Sequence, residues 1–128
     1  MKQSKLIPIP KLKKLMDKEW SRVVRKVNPK CLVCGRTDNL AAHHVIVKKN
    51  SSLATRWLIN NGTSLCYRDH MLHVHGNQAD YMWWKDYLTL VEKQYVLGTI
   101  YEIIEYSKRE IKPTRKWLTD IYEHLKSL

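Results

Sequence analysis

The residues best suited to chemistry lie in two stretches of the chain, 42–46 and 61–70. The first contains the adjacent histidines His43 and His44, and the second begins with Asn61 and ends with His70. Hydrolysis of a phosphodiester requires a cation at the phosphate oxygens, a base for the attacking water, and a group that fixes the tautomer of that base. Three imidazoles and one carboxamide could meet these requirements, so the pattern favours a metal-dependent nuclease site.

The cysteines form a second group of potential ligands. Cys31 and Cys34 are separated by two residues and followed by Gly35, which is typical of a tight turn over two thiolates, and the third cysteine is Cys66. An odd number of cysteines that includes a Cys-x-x-Cys pair favours metal binding over a disulfide framework in a reducing compartment.

Size and charge restrict the class of protein. The 128 residues are enough for one packed domain, and 44% of them are hydrophobic, which argues against disorder. The formal net charge of +11 favours a polyanionic partner, although ribosomal and membrane-surface proteins are equally basic. The sequence has neither an apolar run of about 18 residues nor the apolar core of a signal peptide, so we expect a cytoplasmic protein.

Periodicity predicts the elements that position these groups. Apolar residues from Leu12 to Val27 recur at helical spacing, and Asn28-Pro29 ends this basic helix. Residues 40–47 and 62–65 are predicted strands that pair antiparallel, joined by a loop over 48–60 with at most one helical turn. A short helix over 66–75 should end at Gly76, and about three more helices should follow, the last of them after Pro113.

These elements predict a single α+β domain over residues 1–128. It would consist of a basic N-terminal helix (1–30), a metal-bearing core (31–76) and a helical tail (77–128).

The convergence of the two histidines does not follow from periodicity. Adjacent strand residues point to opposite faces, so His43 and His44 can converge on one phosphate only if the strand twists, bulges or ends there.

Taken together, the spaced residues resemble the HNH endonuclease family, also called His-Me finger or ββα-metal nucleases. The resemblance covers about residues 31–76 and rests on several elements: Cys31-x-x-Cys34-Gly35, His43-His44, and Arg56-Trp57-x-x-x-Asn61-Gly62-x-x-Leu65-Cys66-x-x-Asp69-His70. It implies a zinc-stabilised ββα-metal core with one helix before it and about three after it. It also implies endonuclease activity on DNA.

The resemblance also implies individual roles. His44 would be the general base, and Asn61 would hold the loop and orient that base. His43 and His70 would bind a catalytic divalent cation such as Mg²⁺ or Mn²⁺. His73 is a further candidate ligand because it follows His70 by three residues on the same helix face.

The chain departs from the family in its cysteines. Family members with a structural zinc usually have two Cys-x-x-Cys pairs, whereas here the second pair is replaced by Cys66 and Asp69. Cys31, Cys34 and Cys66 together with the Asp69 carboxylate would complete a tetrahedral zinc site, because zinc accepts carboxylate oxygen. A nearby histidine as fourth ligand, or a weakened or absent zinc, are the alternatives.

Basic residues in the loop and tail are predicted to contact nucleic acid, although a solvated surface is an equally simple explanation for those near Pro113. The predicted contacts are Lys48, Lys49, Arg56, Arg68, Lys108, Arg109, Arg115 and Lys116. Aromatic residues between 81 and 87 could stack on bases, but helical spacing makes a core position the better interpretation for Trp84 and Tyr87.

Small size and a basic helical tail are similar to bacteriophage HNH proteins of the restriction, packaging or recombination type. The spacing in the tail faintly resembles the phage NinG/Rap recombination nucleases, which act on branched DNA. Two other interpretations stay open: a non-catalytic zinc-containing DNA-binding module, and a nuclease that acts on RNA. The apolar stripes of the tail helices would also permit a homodimer.

Overall fold

The chain adopts an α+β fold in which one long helix covers a two-stranded antiparallel sheet and packs against a C-terminal helix. The structure is a computed structural model that describes residues 6–45, 53–67, 87–91, 102–103, 105, 108, 111 and 113–128. Its labelled elements are α1 (Ile9–Val27), β1 (Leu40–His44), α2 (Leu53–Arg56), β2 (Gly62–Cys66) and α3 (Arg115–Ser127).

Helix α1 confirms the predicted N-terminal helix and its end. The backbone N–H and the side-chain amide of Asn28 both donate to the Val24 carbonyl, at 2.8 and 3.0 Å, and so cap the last turn. The helix begins at Ile9, before the first residue of the apolar pattern, Leu12. Pro10 is compatible with this start because it lies in the first turn, where proline costs no hydrogen bond. Its buried residues are Leu12, Met16, Trp20, Val23 and Val24.

Strands β1 and β2 pair antiparallel in a register that runs from Leu40 opposite Cys66 to His44 opposite Gly62. The first strand is shorter than the predicted 40–47. It ends at His44, and the N–H of Val45 instead donates to the Asn61 carbonyl at 2.8 Å. The second strand extends one residue beyond its predicted end, to Cys66, and Tyr67 directly after it is helical.

The connection between the strands contains more local structure than predicted. Besides the expected helical turn, α2, it has a 3₁₀ turn at Ile59–Asn61 directly before β2. The Asn61 side chain is fully buried and donates to the Thr55 carbonyl at 3.1 Å, which ties this turn back to α2.

Helix α3 confirms the last predicted helix. Pro113 precedes it, and the Thr114 hydroxyl caps its first turn by accepting from the Trp117 N–H at 3.1 Å. Leu118 and Leu125 are buried against α1.

Two apolar clusters lie around the strand pair. The first joins α1 and α3 with Trp57, and the second joins Leu65 and Cys66 with Tyr87 and Val91 of the helical residues 87–91. Tyr87 is fully buried, which confirms its predicted core position. None of the described helices is both long and apolar enough to cross a bilayer.

Candidate functional site

The cysteine turn, residues 31–36, is built by backbone hydrogen bonds. The N–H of Gly35 donates to the Cys31 carbonyl at 2.9 Å, and the N–H of Cys31 donates to the Arg36 carbonyl at 2.7 Å. Gly35 has a φ of 77°, a left-handed conformation that favours glycine. This explains why the turn over the two thiols has a glycine at this position.

The third thiol is supplied by the end of strand β2. The N–H of Leu32 donates to the Ser64 carbonyl at 2.9 Å, which docks the cysteine turn on this strand beside Cys66. The sulfur atoms of Cys31, Cys34 and Cys66 all lie within 4.8 Å of one another, and those of Cys34 and Cys66 are 3.6 Å apart. The predicted convergence of the three cysteines is therefore present.

This geometry fits a metal. Zn–S bonds of about 2.3 Å in a tetrahedron place two sulfur atoms about 3.8 Å apart, close to the 3.6 Å between Cys34 and Cys66. None of the three cysteines is part of a disulfide. Three such cysteines could hold a structural metal such as zinc. Within the described ranges no histidine or carboxylate joins this group, and the predicted fourth ligand, Asp69, lies outside them.

His44 lies against helix α1. Its ring stacks on the Trp20 indole with the centroids 3.9 Å apart and the planes within 6°. Its Nε2 is 2.9 Å from the Arg56 backbone carbonyl. A carbonyl oxygen can only accept, so Nε2 carries a proton, and in the neutral ring the basic lone pair is therefore on Nδ1.

The Arg56 segment that holds His44 is itself fastened to α1. The guanidinium of Arg56 donates to both carboxylate oxygens of Asp17, at 3.1 and 2.8 Å. The indole N–H of Trp57 donates to the same carboxylate at 2.9 Å, and the Trp20 indole N–H donates to the Leu58 carbonyl at 2.8 Å. Three bonds to one carboxylate fix the backbone on which His44 depends.

Asn61 links the two ends of the strand connection. Its side chain donates to the Thr55 carbonyl, and its own backbone carbonyl accepts from the Val45 N–H. Since Val45 directly follows His44 and Thr55 directly precedes Arg56, Asn61 holds together the two segments that meet at the His44 ring.

His43 lies on the other face of the strand pair. It is only 5% exposed, and its Nδ1 is 2.8 Å from the Tyr87 hydroxyl. That hydroxyl is in turn 2.6 Å from the Thr63 hydroxyl on β2, opposite His43 in the register. The two imidazoles therefore lie on opposite faces of the strand pair, as strand alternation predicts. Strand β1 ends at His44, which is one of the three alternatives that would allow the two rings to converge.

The cysteines and the histidine pair occupy opposite ends of the strand pair. Cys66 lies opposite Leu40, four residues along β1 from His44, which corresponds to about 13 Å of strand. A metal held by the cysteines would therefore support the fold at a distance from the His44 ring.

The remaining predicted site residues divide into two groups. Arg115 donates to the Ile7 carbonyl, while Lys108 and Lys116 pair with Glu105 and Asp120 at 2.9 Å on the surface. Several predictions lie outside the described residues: His70, His73, Lys48, Lys49, Arg68 and Arg109.

Sequence reasoning did not identify Asp17 and Trp20 as partners of the site. It assigned Trp20 to the apolar face of α1, and it predicted a nucleic-acid contact for Arg56, whose guanidinium lies on Asp17 and 4.8 Å over the Trp57 ring. The available signal was the position of Asp17, one of two acidic residues in a basic helix, directly after Met16 on its buried face.

Comparisons with known proteins found no matching family model, curated sequence or solved structure. The functional argument therefore depends on the residues and their geometry.

Proposed function

We propose that this chain is a metal-dependent DNA endonuclease of the HNH type, built on a zinc-stabilised ββα-metal core. The observation that carries the proposal is the hydrogen bond between His44 Nε2 and the Arg56 carbonyl. This bond gives the ring the tautomer that a general base requires, with the accepting lone pair on the other nitrogen.

In the proposed reaction His44 Nδ1 takes a proton from the water that attacks the phosphorus. The Arg56 carbonyl then accepts a hydrogen bond from a cationic ring, and the Trp20 stacking keeps the ring plane fixed throughout. Asn61 acts as a positioning residue, because it holds together the segments on either side of this ring.

His43 and His70, with His73 as a further candidate, would hold a cation of the Mg²⁺ or Mn²⁺ class. Such an ion supplies charge stabilisation at the leaving 3′ oxygen. The contact between His43 Nδ1 and the Tyr87 hydroxyl supports the assignment, since metal-binding histidines are usually oriented by a hydrogen bond at the second ring nitrogen.

Cys31, Cys34 and Cys66 would hold the proposed structural zinc, with Asp69 as the proposed fourth ligand. The sulfur spacing and the separation from His44 support a structural role. The net charge of +11 supports DNA as the substrate, and the small basic chain supports a phage nuclease of the restriction, packaging or recombination type.

Nicking of supercoiled plasmid by the full chain tests the proposal. We expect Mn²⁺- or Mg²⁺-dependent nicking that falls by about 10²- to 10⁴-fold in His44→Ala, the usual contribution of a general base. His124→Ala is the matched control, because it removes an exposed imidazole from α3 and should nick at the wild-type rate. Unchanged nicking by a folded, DNA-binding His44→Ala variant would contradict the role of His44.

A second candidate is a non-catalytic zinc-containing DNA-binding module. The tight packing of both imidazoles favours it, since His43 is 5% exposed and His44 is stacked on Trp20. DNA binding without nicking under either metal would select this function. Competition of duplex or branched DNA against RNA in the same assay identifies the nucleic acid.

A further inference from the structure

Helix α1 carries a row of basic side chains opposite its buried face. Lys11, Lys14, Lys18 and Arg25 are all exposed, and their spacings of three, four and seven residues place them along one side of the helix. We call these four residues the α1 row. It extends over about 21 Å, the length of fourteen helical residues.

The acidic residues of α1 lie off this row. Asp17 accepts from Arg56, and Glu19 pairs with Arg22 at 2.6 Å. Within the described part of the chain Lys11, Lys14 and Lys18 form no ion pair. Among the described residues the row is therefore a continuous surface of one charge, with no ion pair to a neighbouring carboxylate.

The packing of α1 decides which polyanion fits. A helix that lies on a membrane must insert an apolar face, but the apolar face of α1, which includes Met16, Trp20 and Val24, is buried against β1, β2 and α3. A straight row of long cationic side chains matches a regular array of phosphates, and a duplex presents one negative charge per about 1.7 Å of its axis.

We propose that the α1 row contacts the phosphate backbone of duplex DNA and forms an anchoring surface separate from the strand pair. The inference rests on the proposed function in taking DNA as the partner, but it does not require cleavage. It concerns a face of α1 that points away from the His44 ring, because His44 stacks on the buried Trp20.

The test measures the salt dependence of binding to a fluorescent 20-base-pair duplex, with no Mg²⁺ or Mn²⁺ added so that cleavage does not interfere. The variant is the triple Lys11→Gln, Lys14→Gln, Lys18→Gln. The control, Lys30→Gln, Arg36→Gln, Lys126→Gln, removes the same formal charge from exposed positions elsewhere, of which Arg36 and Lys126 pair with Asp38 and Glu123. All six side chains are exposed, so both triples should fold, which circular dichroism and thermal unfolding check.

Each phosphate contact contributes about 0.9 to the slope of log K against log salt. We expect the row triple to lower the magnitude of this slope by about 2.7, and the control triple by less than about 1. Replacing the same three lysines by arginine should retain the wild-type slope, because the charge is kept.

If the two triple variants lower the salt slope equally, DNA is attracted by the overall charge of the protein and the inference is overturned. An unchanged slope in the row triple would also overturn it. Tighter row-dependent binding to duplex RNA or to vesicles containing anionic lipid would overturn the assignment to DNA. If the protein never nicks plasmid but the row triple still lowers the salt slope, this inference is supported and the nuclease proposal fails.

Discussion

The α1 side of the strand pair and the cysteine turn are held by different physical means. On the α1 side, Trp20 and Val24 are almost completely buried, and Gly62 approaches them so closely that no side chain fits. In the cysteine turn and the three residues after it, every residue from Val33 to Asn39 is exposed. Packing therefore defines the first region. In the second, apolar burial is confined to Cys31 and part of Leu32, and the rest of the turn depends on backbone hydrogen bonds and the thiols.

The largest expected effect follows from this difference. In zinc-loaded protein, Cys66→Ser should lower the free energy of unfolding by several kcal/mol, because a thiolate ligand is lost and metal binding is coupled to folding. Urea unfolding of wild type and variant measures the difference. Cys66 is 1% exposed on β2, so the same pair must also be compared without metal.

In a zinc chelator the gap between wild type and Cys66→Ser should shrink to about 1 kcal/mol, the scale of an ordinary buried hydrogen-bonding change. A gap that is equally large with and without the chelator would mean that Cys66 contributes only through packing. The contrast between the two regions would then disappear.

Trp20→Ala should produce the next largest effect, a loss of about 3–5 kcal/mol, because it empties a site that is 3% exposed. The loss should be the same with and without chelator. Trp20→Phe, which keeps a ring but removes the N–H bonded to Leu58, should cost about 1 kcal/mol in the same urea titration. A chelator-dependent loss in Trp20→Ala would show that the two regions are coupled.

The two glycines provide a sharper comparison. In Gly62→Ala the new Cβ would lie 2.5 Å from Val24 Cγ2 and 2.8 Å from Trp20 Cζ2, and we expect a loss of about 1–3 kcal/mol from overpacking. Gly35→Ala meets no atom within 4 Å but must adopt a φ of 77°, which costs about 1–2 kcal/mol.

Different changes should reduce the loss of stability caused by these two substitutions. Val24→Ala should partly rescue Gly62→Ala, because it removes the closest contact. Gly35→Asn should be milder than Gly35→Ala, because asparagine tolerates the left-handed conformation. Thermal unfolding of the four variants distinguishes overpacking at Gly62 from backbone strain at Gly35. If neither second substitution restores stability, both explanations are contradicted.

The smallest expected effect concerns the carboxylate that fixes the Arg56 segment. Asp17→Asn should cost about 1 kcal/mol, because asparagine keeps one acceptor oxygen for the three N–H donors of Arg56 and Trp57 and loses the charge that pairs with the arginine. A double-mutant cycle with Arg56→Gln measures the coupling. Zero coupling would show that the contact between Asp17 and Arg56 does not stabilise the Arg56 segment. The backbone carbonyl of that segment is the one bonded to His44.

The sequence predicted the elements of this fold where a local pattern specifies them. Apolar spacing and a terminal Asn-Pro defined the end of α1. The mostly apolar, β-branched run from Leu40 predicted the first strand, and residues 62–65 were predicted to pair back to it. The short distance between Cys66 and the Cys31 turn was also predictable, because the spacing of metal ligands is itself a sequence pattern.

The contacts around His44 were not predictable in the same way. Its stacking on Trp20 and its bond to the Arg56 carbonyl join residues 24 and 12 positions apart whose approach depends on how α1 packs across the strands. Asp17 and Arg56 are 39 positions apart. A nucleic-acid contact was predicted for Arg56, because no local pattern shows that a carboxylate of α1 lies beside it.

Counting the zinc bound per purified chain is the most direct test of the metal-held cysteine turn. Native mass spectrometry should detect one zinc ion per wild-type chain and none in Cys31→Ser, with the amide of Leu32 protected from hydrogen exchange only in the loaded protein. A metal-free wild-type chain whose Leu32 amide is still protected would contradict the account, because the exposed turn would then be stable without a metal.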